Sequence, residues 1–165
     1  MNSNPDNITV LPSLEENLKL FSSWEADEDT SPYILPTTLD QHYSNFSRPD
    51  ITYLTISRAE NPVGYFILAL EPGGKSIEFR RIVIAEKGQG IAQSAIPLME
   101  NYCRETSQTA RIWLDVFEFN LRGIHLYEKL GYQRFDQREF EGKWLFFYEK
   151  TFNRKNQTAY RKTTN

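Results

Sequence analysis

The sequence predicts an α+β (mixed α/β) fold, with a sheet of about seven strands, mostly antiparallel, flanked by about four helices. Three apolar, alternating segments follow one another through tight turns at 51–58, 63–70 and 76–85, which is the pattern of an antiparallel meander. The period then changes: Ile91, Ala95, Leu98, Met99 and Tyr102 recur at helical spacing after a glycine-containing loop. The 165 residues, 39% hydrophobic and 25% charged, suit one domain with a core of its own and exclude whole-chain disorder.

The elements are expected in this order. Ile8–Leu11 reads as a short strand stopped by Pro12, and Ser13 as the cap of a helix whose first turn holds Glu15 and Glu16. Leu14, Leu18, Phe21 and Trp24 supply its apolar face. A loop over 25–30 and an irregular stretch set by Pro32 and Pro36 lead to a second helix over Thr38–Phe46, closed before Pro49. In Ile51–Arg58, Ile51, Tyr53 and Thr55 share one face, Leu54 and Ile56 the other. Turns at Ala59–Pro62 and Glu71–Gly74 separate the next strands, Val63–Leu70 and Ser76–Ala85. After the helix that begins at Ile91 come a strand over Arg111–Phe117 and a helix over Asn120–Leu130, with Asn120 as N-cap and Gly131 as stop. Tyr132–Phe140 and Trp144–Thr151 close the chain as a hairpin around Glu141–Lys143. Residues 1–152 are expected to form one domain, and 153–165 a polar, basic, disordered C-terminal tail carrying +4. Pro97 lies inside a helical stretch, where it removes an N–H and predicts a kink beyond the first turn.

Composition excludes several functions. A net charge of −3 offers no field for a phosphate backbone, so no nucleic acid partner is expected. One cysteine, Cys103, leaves no disulfide framework and no cysteine-based zinc site, and two histidines make a metal site a poor expectation. Cys103 reads as a buried helix residue, and His42 and His125 as surface residues. No apolar run reaches membrane-spanning length and Met1–Val10 lacks the features of a signal peptide, so no membrane partner and a cytoplasmic location are expected.

The chemistry concentrates at Lys87-Gly88-Gln89-Gly90-Ile91-Ala92, between strand and helix. Glycines there permit positive φ and close approach to the backbone, while the helix start adds unpaired N–H donors and partial positive charge. Together they suit a phosphate. No Gly-Lys-Ser/Thr follows, so this is not a nucleoside-triphosphate loop, and the third glycine of a dinucleotide fingerprint would fall on Gln93.

The element order, this loop and the segment Asn120–Tyr132 resemble the GNAT superfamily of acetyl-CoA-dependent N-acetyltransferases, whose Arg/Gln-x-x-Gly-x-Gly/Ala pattern is matched by Lys87–Ala92 with lysine in place of Arg/Gln. The second family pattern is matched by Asn120, Tyr127, Gly131 and Tyr132, about 30 residues on. The resemblance is specific over Ser76–Tyr132, and the N-terminal third looks most like the branch that includes ribosomal-protein N-terminal acetyltransferases. It implies a GNAT-like sheet with splayed central strands, acetyl-CoA as co-substrate, no metal, and direct transfer of acetyl to a primary amine in a ternary complex. The alternative is a non-catalytic acyl-CoA-binding or regulatory module on the same fold.

By the same resemblance, Lys87, Gly88, Gln89, Gly90, Ile91 and Ala92 bind the coenzyme pyrophosphate, and Ile82, Val83 and Ile84 offer backbone to the pantetheine arm and thioester. Tyr127 takes the place of the acid that protonates the thiolate. Asn120 is both N-cap and candidate pantetheine ligand, and Gly123 marks a close approach of backbone or coenzyme. Glu78 is the candidate base, alone or through water, on a face shared with Arg80, Ile82 and Ile84; Asp115 is the second choice. The acceptor is a small-molecule or peptide amine. Residues 1–36 hold seven acids against Lys19 alone, with Glu25, Asp27, Glu28 and Asp29 clustered after Trp24, so a cationic amine is expected on that side. The oligomeric state is left as monomer or homodimer.

Overall fold

A computed structural model describes residues 7–152 of the chain. The elements are β1 (Ile8–Pro12), α1 (Leu18–Glu25), α2 (Leu39–Phe46), β2 (Ile51–Arg58), β3 (Asn61–Leu70), β4 (Ser76–Ile84), α3 (Ile91–Ser107), β5 (Arg111–Phe117), α4 (Leu121–Lys129), β6 (Gln133–Phe140) and β7 (Lys143–Thr151). The expected C-terminal tail, 153–165, lies outside the described residues. The seven strands are hydrogen-bonded in the order β1-β2-β3-β4-β5-β7-β6. β4 and β5 run parallel and are registered over three pairs, from Ser76↔Arg111 to Glu78↔Trp113. The pairs β1–β2, β2–β3, β5–β7 and β6–β7 are antiparallel.

The start of the chain differs from expectation. Ser13 does not cap a helix: its hydroxyl lies 2.6 Å from Thr55 Oγ1 and its N–H donates to the Tyr53 carbonyl, so it is held to β2. The helix opens one residue later with a short 3-10 turn over Glu15–Asn17, where the Leu14 N–H donates to Asn17 Oδ1. α2 behaves as read: Thr38 accepts from the Gln41 N–H, and Gln41 Oε1 accepts from the Thr38 N–H, a reciprocal cap. The β2–β3 turn is tighter than expected, with Ala59 and Glu60 at φ of 47° and 70°, so pairing resumes at Asn61 and takes in Pro62. Two left-handed residues give the turn a twist that matches the strands.

The structure divides into two compact units, one up to Ala69 with Phe79–Met99, the other Leu70–Glu78 with Glu100 onward. In the first, Leu18, Phe21, Ile51, Tyr53, Tyr65, Ile67, Ala69 and Val83 form a buried cluster, with Trp24, Ile34, Leu39, Tyr43 and Phe46 packed on it. Phe21 stacks on Tyr65 at 4.3 Å between ring centroids. In the second, Ile112, Leu114 and Val116 point one way along β5 and are buried, as an alternating strand requires. Cys103 is buried there as expected, its thiol pushed up to about 12 by burial and the Glu100 charge. Glu100, also buried, accepts from Tyr132 Oη at 2.8 Å and pairs with Lys150 Nζ at 3.0 Å. β6 ends the strand order, and all of its eight residues are exposed.

Candidate active site

In the first unit, β4 delivers the chain into the loop and α3 carries it away. Gly88 and Gly90 have φ of 83° and 70°, which a side chain resists, and a Cβ on Gly90 would meet nothing within 4 Å. Gly88, Gln89 and Gly90 are exposed, whereas Ile91 is buried and anchors the first turn of a 17-residue helix. The loop therefore sets N–H donors of the helix start beside open space, a place for a phosphate. Lys87 is held: its Nζ donates to Thr30 Oγ1 at 2.7 Å and to the Asp29 carbonyl. Val83 is core, and Ile82, Ile84 and Ala92 are half-buried.

One expectation about β4 is overturned. Phe79 contacts Phe66, at 5.5 Å between centroids, whereas Val83 belongs to the cluster of Tyr65, on the opposite face of β3. Ile84 lies beside Ile56 against the Cβ direction of Gly64, on the Phe66 face. Residues 79 and 84 thus share a face although an odd number of steps apart. The alternation slips by one residue between Phe79 and Arg81, so Glu78 does not share a face with Ile82 and Ile84.

A buried polar network that the sequence did not reveal fills the space between α1, α2 and the strands of this unit. Glu25 is 3% exposed. Its Oε1 accepts from Tyr65 Oη at 2.7 Å and from Arg81 Nη1, and its Oε2 from His42 Nε2 at 3.1 Å and the Thr37 N–H at 3.3 Å. Arg81 also donates to Thr37 Oγ1, at 2.6 Å, and to the Leu35 carbonyl. His42 is fully buried, not a surface residue, and its Nδ1 faces Tyr53 Oη at 2.7 Å. Because the carboxylate only accepts, the Nε2 that faces Glu25 carries a proton. Burial raises the Glu25 carboxyl, but bonds from His42 and Tyr65 and the charge of Arg81 outweigh it, leaving the group below its ordinary value. Glu25 is thus withdrawn from the expected acidic rim, while Asp27, Glu28 and Asp29 remain exposed. Trp24 is half-buried against Phe21 and Tyr65.

In the second unit, Asn120 caps α4, its Oδ1 accepting from the Gly123 N–H at 3.0 Å. A Cβ on Gly123 would stand 2.8 Å from the Asn120 side chain, so the close approach at this glycine is that of the cap itself. Tyr127 is buried on α4, its ring 6.1 Å from that of Tyr132. Burial and the charge of Asp115 push its hydroxyl well above the usual phenol range. Asp115 is exposed on β5, and Glu78 is half-buried opposite Trp113. His125 is exposed, as expected. Among the described residues no group of three His, Cys, Asp or Glu is placed to hold a metal, and no helix is long and apolar enough to cross a membrane.

A sequence model of the Acetyltransferase (GNAT) family matches residues 15–132, well over half of the chain. The chain belongs to the GNAT family. The family match contains both the glycine loop and α4 and ends on Tyr132. An N-acetyltransferase 9-like protein of Caenorhabditis briggsae is 31% identical over 126 residues, 74% of this chain. The match spans 59% of that relative's length. Among solved structures, a spermidine N-acetyltransferase from Vibrio cholerae in complex with CoA and spermine is similar over 90% of this chain and 96% of its own, with a TM-score of 0.78 at 19% identity. An aminoglycoside acetyltransferase, AAC(6')-Ib, in complex with coenzyme A is similar over 93% and 99% of the two chains, with a TM-score of 0.76 at 17% identity. At these identities the two structures establish the GNAT fold, with its mixed, mostly antiparallel sheet.

Proposed function

We propose that this GNAT-family chain transfers the acetyl group of acetyl-CoA to a primary amine. The observation that carries the reading is the loop Lys87–Ala92: two left-handed glycines, open space above Gly90 and the start of a long helix, in the family's motif position. These features fit a pyrophosphate, which needs several N–H donors and no Cβ in its path. Ile82, Val83 and Ile84 carry backbone for the pantetheine arm, their side chains being taken up in packing.

In the reaction a neutral amine attacks the thioester carbonyl. The new N–C bond forms, the C–S bond breaks, and coenzyme A leaves as a thiolate. The amine proton passes to a base, for which Glu78, Asp115 and a water chain are the candidates. Tyr127 meets the thiolate. Its raised value keeps the phenol protonated at neutral pH and makes full transfer to a thiolate uphill, so its contribution begins as a hydrogen bond to the developing charge.

The acceptor is a cationic amine. Supporting this are the exposed Asp27, Glu28 and Asp29 and the similarity to proteins named for spermidine and aminoglycoside acetylation. Release of free thiol from acetyl-CoA, measured against a panel of polyamines, aminoglycosides, amino acids and peptide N-termini, tests the function. Amine-dependent release is expected. Binding of acetyl-CoA without turnover on any amine would instead support the acyl-CoA-binding module.

A further inference from the structure

We propose that Arg81 is a positioning residue of this active site: anchored by the buried Glu25, it holds the slipped stretch of β4 together with the segment Leu35–Thr37. The inference rests on the acetyl-transfer reading above. It starts from the slip itself. A strand whose alternation breaks between Phe79 and Arg81 has lost part of the side-chain packing that normally fixes its backbone. The next three residues, Ile82, Val83 and Ile84, are those whose backbone serves the thioester, and an error of about 1 Å there is costly to rate.

Arg81 supplies the missing constraint. Its side chain is 12% exposed and points to the α1–α2 side. One guanidinium reaches Glu25 at the end of α1, the hydroxyl of Thr37 and the carbonyl of Leu35. Glu25 is held in turn by Tyr65, His42 and the Thr37 N–H, so the anchor is rigid. The planar fork of arginine meets several acceptors at once, which a lysine at this position does not do. The same cation ties the strand that presents the thioester to the segment that leads into α2. Tyr53 belongs to the network at one remove, bonded to His42 and to neither Glu25 nor Arg81, which makes it the control.

Arg81→Gln, Arg81→Lys and Tyr53→Phe are compared in the full chain. Each is measured for thermal midpoint, acetyl-CoA dissociation constant by calorimetry, amide hydrogen exchange over 79–84, and turnover with the best amine of the panel. Arg81→Gln should speed exchange over 79–84 by 10-fold or more beyond the change in global stability and lower kcat by 10- to 100-fold. The acetyl-CoA dissociation constant should stay within about 3-fold. Arg81→Lys should recover less than half of the lost kcat on a logarithmic scale. Tyr53→Phe should lower the thermal midpoint and leave kcat and local exchange at wild-type values. Unchanged local exchange in a folded Arg81→Gln overturns the proposal, and so does a kcat that follows thermal stability alike in the Arg81 and Tyr53 variants. Should Arg81→Gln not fold, Thr37→Val removes one of the three attachments, and unchanged exchange in that variant overturns the proposal equally. Exchange is read without turnover, so a wild type that acetylates nothing in the panel defeats the acetyl-transfer reading and leaves the anchoring of β4 independently decided.

Discussion

Tyr127 and Glu25 are both buried and ionisable, and their surroundings push them in opposite senses. Tyr127 has its proton locked on by burial and by Asp115, and Glu25 has its charge locked on by its donors. Tyr127→Phe keeps the packing against Tyr132 and removes one hydroxyl, so turnover should fall by about 10- to 1000-fold with little change in the acetyl-CoA dissociation constant. Steady-state kinetics beside calorimetry checks this, and equal losses of binding and stability would return Tyr127 to the core. For Glu25 the sign follows from its lowered value. The folded state favours the charged form, so its contribution is fully present above the ordinary carboxyl value of 4.5 and is lost as the pH falls through the lowered one. Urea midpoints between about pH 7 and pH 3 should drop in the wild type more than in Glu25→Gln, which starts lower and has no carboxylate to protonate.

At the scale of elements, the loop between β4 and α3 carries the sharpest expectation. Gly90 combines open space with a φ of 70°, so a β-branched side chain there is strained by the backbone and stands where a phosphate would approach. Gly90→Val should weaken acetyl-CoA binding by an order of magnitude or more while circular dichroism stays that of the wild type. Calorimetry with unchanged affinity would remove the loop from the coenzyme site. The glycine on α4 shows why the same residue type needs its context. Gly123 makes room for the Asn120 cap, a fit visible only once the cap's rotamer is placed.

For the whole molecule the relevant property is the distribution of charge. A chain with net −3 carries Asp27, Glu28 and Asp29 exposed together just past α1, while the nearby Glu25 is neutralised by Arg81. Under the proposed reading these groups draw a cationic amine, and exposed charges are screened over about 8 Å at physiological ionic strength. The KM for that amine should rise with salt, and replacing the three with Asn and Gln should raise that KM and leave the one for acetyl-CoA alone. Initial rates at several salt concentrations check both arms. A KM indifferent to salt and to the triple change would make the acidic run an ordinary solvated loop.

What could be read from the chain was local. Alternation and turn residues place β2, β3 and β5, the Asn120 and Gly131 signals bound α4, and the spacing of Lys87–Ala92 around Ile91 marks the loop, because each depends on residues within a few positions of one another. Resemblance added the two motifs and the family, and the match over 15–132 bears out the family. Tertiary structure alone decided the rest. Ser13 left its cap because Thr55, 42 residues away, offered a partner. His42 turned inward because Glu25 and Tyr53 converge on it, and β4 slipped its alternation where Arg81 reaches across to Glu25, 56 residues distant. A hydrogen bond between residues far apart in sequence leaves no period for a pattern to show. The buried charges of this protein are placed by such bonds, since desolvation forbids them a place in the core until every partner is present.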